Sequence, residues 1–280
     1  MPRKGMALSK RKGNIMESLL GAKCFAINDV LNETWRLVNG SKWPIWAITI
    51  LIGIASLIIQ IIVIEIFQID PKTPLVHYSY LFMPILNSIV IAPFFAGAVM
   101  TAIKRAREEE INAASGYQYF HKTLQVMIGM ALITLFGTIL NYIFHLPVIA
   151  DAAGRYAVWL YLLSGAVSIL VYVFTILAIP LIVDKNHTPW ESLINSFQIT
   201  KNFWFKVLLL VLIVYVFFVV ATIPLIIGAM IHPYARLLGV AIFIFILVWL
   251  LPYVFLIQGV LYHKLVYQTG SKPEIRTTNL

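Results

Sequence analysis

Charge is what this sequence has least of: of 280 residues only 12% are Asp, Glu, Lys or Arg, while 60% are hydrophobic and the mean hydropathy is +0.87. A soluble domain carries about a quarter charged residues and a largely polar surface, so a water-soluble globule is excluded. Cysteine is nearly absent. Cys24 stands alone, which leaves no internal disulfide and no Cys-based metal cluster. The chain also lacks G-x-x-x-x-G-K-[ST], G-x-G-x-x-G and H-E-x-x-H, so P-loop, dinucleotide and zincin chemistry have no recognisable home. An enzyme site assembled inside a membrane from residues far apart in sequence stays open.

What is present is a series of long uncharged windows. They cover residues 43–64, 73–103, 123–150, 156–183, 207–235 and 237–263. A charged side chain at the centre of an inserting helix costs about 2.5–3.5 kcal/mol, and a crossing needs about 20 apolar residues. Each window is long enough, and they predict six spans near 45–67, 80–103, 124–144, 157–183, 205–231 and 237–262. The alternation of a spanning barrel is missing, so the expected fold is all-α, a polytopic bundle of six transmembrane helices in three consecutive hairpins. The basic segment before Trp43 is followed by no short apolar core with a cleavage site, so the first span reads as a retained anchor. The expected organisation is a cytoplasmic segment over 1–42, a membrane domain over 43–262 and a short cytoplasmic tail over 263–280.

Basic residues decide the orientation. Eighteen of the 21 Lys and Arg fall on one side of this topology, and only Lys72, Arg155 and Arg236 on the other. The rich side, with both termini, is expected in the cytoplasm. The net charge of +9 then reflects topology and attraction to anionic headgroups, and no nucleic-acid partner is expected.

Two segments read as helices lying in the membrane plane. Met16, Leu20, Cys24, Ile27, Leu31, Trp35 and Val38 recur at helical steps, with Glu17, Asp29, Asn32, Glu33 and Arg36 largely opposite. In the connection between spans four and five, Thr188, Pro189, Trp190 and Glu191 form a T-x-x-E capping box with proline at the first helical position. Trp190, Ile194, Phe197 and Trp204 follow near one face. Trp35, Trp43, Trp190 and Trp204 are the expected interfacial anchors. A leading segment plus two spans recurs three times, and Pro93, Pro180 and Pro252 lie in the returning helix of each hairpin, where each is expected to kink it.

Polar residues within spans are the default functional candidates. Gln60, Glu65, Asn87 and Asn141 fall toward the outer half and either line a shared polar cavity or hydrogen-bond between helices. His77, His145 and His232 lie one to each outer connection, with Asp70 and Asp151 on the same side. His121, His187 and His263 are scattered as evenly on the inner side, so no metal site and no cofactor is expected.

The stretch Ile179-Pro180-Leu181-Ile182-Val183-Asp184-Lys185, then Glu191-Ser192-Leu193-Ile194-Asn195-Ser196-Phe197 and Lys201-Asn202-Phe203-Trp204, resembles a segment in a loose group of uncharacterised six-span bacterial inner-membrane proteins. That group looks related to the membrane domain attached to some glycerophosphodiester phosphodiesterases. The resemblance implies a bacterial cytoplasmic membrane protein and carries over no catalytic residues; the segment after Tyr262 is too short for a phosphodiesterase domain. Three functions follow as expectations: a non-enzymatic module that organises membrane lipids, a membrane-protein partner or a second copy of itself; a transporter or channel; and an intramembrane enzyme acting on lipid.

Overall fold

The computed structural model describes residues 25–67, 77–112, 122–149 and 154–267. Their regular structure is helical throughout, with no strand among the described residues: α1 (Ile27–Val38), α2 (Lys42–Phe67), α3 (His77–Ala106), α4 (Thr123–Ile149), α5 (Ala157–Thr175), α6 (Ala178–Lys185), α7 (Pro189–Thr200), α8 (Trp204–Ile231) and α9 (Pro233–Tyr262), which runs on into a π-helical turn, His263–Tyr267. Six of these stretches are long and apolar enough to cross a bilayer, namely α2, α3, α4, α5 with α6, α8 and α9. The chain is a polytopic membrane protein. Residues 1–24 with Met16, Leu20 and Cys24, then Asp70, Lys72 and Asp151, and the tail beyond 267 lie outside the described residues.

The three hairpins share one plan. In the outgoing helices α2, α4 and α8, 11% of the most apolar window is buried, against 33% in α3, 50% in α5–α6 and 28% in α9. The returning helices thus form an inner layer and the outgoing helices an outer one. The leading helices pack in a cyclic sense: α1, ahead of hairpin one, lies on α9 of hairpin three, and α7, ahead of hairpin three, lies on α5 and α6 of hairpin two.

Burial concentrates at the end of the bundle where α2, α4 and α8 begin. The apolar core joins Val30, Leu37 and Val38 of α1, Val99 and Ile103 of α3, Leu177 and Ile182 at the foot of hairpin two, and Leu256 and Tyr262 of α9. Gly259 lets α9 meet α3 closely, since a Cβ there would stand 2.5 Å from the Ala102 carbonyl oxygen. The same end holds Lys42, Lys104, Arg105, Arg107, Lys122, Lys185, Lys201, Lys206 and Lys264, and we call it the basic end. Toward the other end, large apolar side chains such as Trp159, Met230, Tyr234 and Phe245 are exposed, as lipid-facing surfaces are.

The fourth span, expected over 157–183 with a kink at Pro180, is interrupted outright. It breaks at Ile176 and Leu177, between α5 and α6. Proline is the reason: Pro180 has no N–H for the carbonyl four residues back, that of Ile176, and its ring crowds that carbonyl.

Candidate functional site

The broken span is repaired from outside. Gln258 Nε2 on α9 donates to the Ile176 carbonyl at 2.6 Å, replacing the donor that Pro180 lacks. Ser196 Oγ on α7 accepts from Leu177 N at 3.2 Å and donates to the Phe174 carbonyl at 2.7 Å. The same device recurs on α9. Pro252 frees the Val248 carbonyl, and Trp46 Nε1 on α2 donates to it at 3.1 Å. In hydrocarbon an unmatched backbone group costs several kcal/mol, so such partners are what make these prolines tolerable.

At the basic end the feet of the returning helices meet in an ionic cluster. Arg107, just past α3, donates from Nη2 to Asp184 Oδ1 at 2.6 Å, and the Tyr262 hydroxyl of α9 donates to Asp184 Oδ2 at 2.8 Å. The Asp184 side chain is only 6% exposed and that of Arg107 18%. Lys122 donates to the Val183 carbonyl beside it; burial pushes its ammonium below the usual lysine range, and the Asp184 carboxylate opposes that shift. Around this cluster, Lys264 pairs with Glu33 at 2.6 Å and Arg105 donates to the Asn39 carbonyl at 3.0 Å. These bonds tie α1 and the inner helices into one assembly. The cluster is a fastening, with each charge set against a partner.

The two amphipathic helices are present, with their faces refined. The protein-facing side of α1 is Val30, Thr34, Leu37 and Val38, about one position round from the expected stripe of Ile27, Leu31, Trp35 and Val38. The reason is that α1 docks on α9 and does not rest on lipid alone. Its Trp35 remains outward, stacked on Trp249 with centroids 6.2 Å apart and edge-on to Tyr253 at 5.9 Å. In α7 the capping box forms in both directions, Glu191 N to Thr188 Oγ1 at 3.3 Å and Thr188 N to Glu191 Oε2 at 3.2 Å. Hydrogen bonding to the carboxylate from the Thr188 backbone N–H, and from its side chain, holds the Glu191 carboxyl below its usual range. Ser192, Ser196 and Thr200 are buried against the bundle, Trp190 and Ile194 are exposed, and the half-exposed Phe197 packs on Phe174 of α5 with ring centroids 5.0 Å apart. Small hydroxyl side chains let α7 approach closely and leave the bulky face for lipid.

All four tryptophan anchors are exposed and lie at the basic end: Trp43 is 80% exposed and Trp190 65%, with Trp35 and Trp204 at 59% and 42%. The four candidate cavity residues do not share a single setting. Asn141 binds α4 to α5: its Nδ2 donates to Ser168 Oγ at 2.9 Å, and its Oδ1 accepts from Ser164 Oγ. Gln60 and Glu65 are exposed on α2, and Asn87 is part-buried with its Oδ1 unmatched. Of the outer histidines, His232 caps α9, its Nδ1 accepting from Tyr234 N at 3.3 Å; the side chains of His77 and His145 are outside the described set. Among the described residues no group of His, Cys, Asp or Glu is arranged to hold a metal ion.

Three concave features among the described residues lie between helices and are lined by apolar side chains. One groove of about 610 Å³ lies between α2 and α9, lined by Trp43, Trp46, Ala47, Ile50, Ile244 and Val248. A second, of about 300 Å³, lies on the other side of the same stretch of α9, lined by Trp35, Phe217, Val220, Ala221, Trp249 and Tyr253. A 40 Å³ crevice beside the break at Ile176 reaches Leu210 and Ile257. Sequence reasoning passed over Lys42, whose ammonium sits 2.8 Å from the Trp249 ring centroid; its one signal was a lysine directly ahead of the Trp43-Pro44 start of a span. It also passed over Gln258, an amide in a charge-free window, and the pairing of Asp184 with Arg107 and Tyr262, which adjacency in sequence does not reveal. Compared with known proteins, the chain matches no family model, no curated protein and no solved structure.

Proposed function

We propose that this protein is a non-enzymatic membrane module that organises lipid, seated in a bacterial cytoplasmic membrane with its basic end and both termini inward. The observation that carries this reading is the pair of lateral apolar grooves flanking α9. Both have volumes in the range of about 300–1,000 Å³ typical of ligand sites, and both are rimmed by tryptophan. The eighteen-to-three bias of basic residues supports the orientation, and the resemblance of residues 179–204 to bacterial inner-membrane proteins supports the location.

Transport is the weaker reading, because the close meeting of Gly259 with Ala102 and the shared core of α3, α6 and α9 fill the middle of the basic end. An enzyme would bring titratable groups to a pocket. Here the Asp184 carboxylate is engaged by Arg107 and Tyr262, and none of the three lines either groove.

Purification in a mild detergent, with co-purifying lipids and proteins both identified, tests the reading. A defined lipid retained at near-stoichiometric amount is the expected result. Retention of nothing beyond freely exchanging bulk lipid would defeat it.

A further inference from the structure

We infer that the two grooves and Lys42 form one binding site for a phospholipid with an anionic headgroup, an acyl chain lying in each groove and the phosphate held by the Lys42 ammonium. This rests on the lipid-organising reading and names the lipid class. Three observations carry it.

The first is the shape. Val248 lines the α2–α9 groove and Trp249, the next residue, lines the α8–α9 groove. The two grooves are therefore separated by a single ridge of α9, and a two-chain lipid astride it has one chain on each side. Their linings are apolar side chains, suited to acyl chains and to no polar ligand.

The second is the charge. Lys42 lies at the head of this ridge, over the ring of Trp249 and next to Trp43. Among the described residues no carboxylate comes within ion-pair distance of it, although Arg36, Arg107, Lys185 and Lys264 all have acidic neighbours. A part-buried ammonium at the edge of hydrocarbon, stabilised by an aromatic face alone, lacks the anion that would neutralise it. A phosphodiester whose headgroup carries no compensating cation, as in phosphatidylglycerol and unlike phosphatidylcholine, supplies that charge, and the +9 balance of the chain favours an anionic partner throughout.

The third is the aromatic frame. Trp35 of α1 stacks on the same Trp249, and Trp35 and Trp43 are both well exposed. Amphipathic rings favour the zone where headgroup meets chain, and Trp249 with Trp35 supplies such rings beside the ammonium.

Native mass spectrometry of the purified full chain titrated with phosphatidylglycerol and phosphatidylcholine of identical chains tests the site. The wild type should bind phosphatidylglycerol about five-fold more tightly, the effect of roughly one headgroup contact by a single cation. Lys42→Gln should bring the two lipids to parity, and Lys42→Arg should keep the preference. Ala47→Trp, which fills the α2–α9 groove, should weaken both lipids together. Equal binding of the two lipids by the wild type, or an undiminished preference in Lys42→Gln that elutes as a monodisperse species, would overturn the inference while leaving the lipid-organising reading in place. Binding of neither lipid by the wild type would overturn both.

Discussion

Asp184 shows how much a single side chain holds at the basic end. It sits almost wholly out of solvent and takes a guanidinium on one oxygen and a phenol on the other. Removing one partner of a buried ion pair strands the other, so Asp184→Asn is expected to cost about 3 kcal/mol. The check is a lower Tm in detergent, and an unchanged Tm would refute it. Glu191 acts in the opposite regime, fully at the surface. Its carboxyl is held below the ordinary value of 4.5 by Thr188, so its folded pKa is depressed. Its contribution is complete above that ordinary value and drains away as pH falls through the lower folded one. The wild type should therefore lose a small increment of α7 stability in acid that Glu191→Gln lacks, read as the difference in Tm between neutral pH and pH about 3.5. The capping box was legible from four consecutive residues. The Asp184 cluster was not, because Arg107 and Tyr262 are 77 and 78 residues distant and only the packing of three returning helices brings them together.

At the scale of the element, the prolines and their repair form a linked pair. Gln258 bonds the carbonyl that Pro180 leaves free, so the two residues should be coupled. Gln258→Leu alone is expected to cost about 1–2 kcal/mol. In a Pro180→Ala background, where the chain can supply its own donor, the same change should cost distinctly less. A double-mutant cycle on Tm measures this, and strict additivity would contradict the assignment. The break at Pro180 was legible in sequence, and so was the recurrence of proline in returning helices, although α3 and α9 run unbroken through Pro93 and Pro252. What restores the lost hydrogen bonds was not, since Gln258, Ser196 and Trp46 belong to other helices. The amphipathic helices α1 and α7 show the same division: their existence follows from apolar periodicity, whereas the choice of packed face in α1 was set by α9. Asn141 was visible as an intramembrane amide, and its partners Ser164 and Ser168 were hidden only by the inconspicuousness of serine in a span.

For the molecule as a whole, six uncharged windows became six apolar helices, because the cost of burying charge in hydrocarbon acts through local composition and needs no tertiary knowledge. The layering of returning helices inside outgoing ones was foreshadowed only by the threefold recurrence of proline. Lateral grooves depend on how helices splay, which no window of sequence reports; lipid organisation is accordingly argued from geometry. All of it presupposes that the ends of the chain share one face of a bilayer, and that the face is the basic one. The direct measurement is accessibility labelling in sealed inside-out and right-side-out vesicles, with Cys24→Ser as background and single cysteines placed at Gly40, Gly270 and Tyr234. The account predicts that positions 40 and 270 react from the cytoplasmic side and position 234 from the opposite side; reaction of 40 and 270 from opposite sides would contradict it.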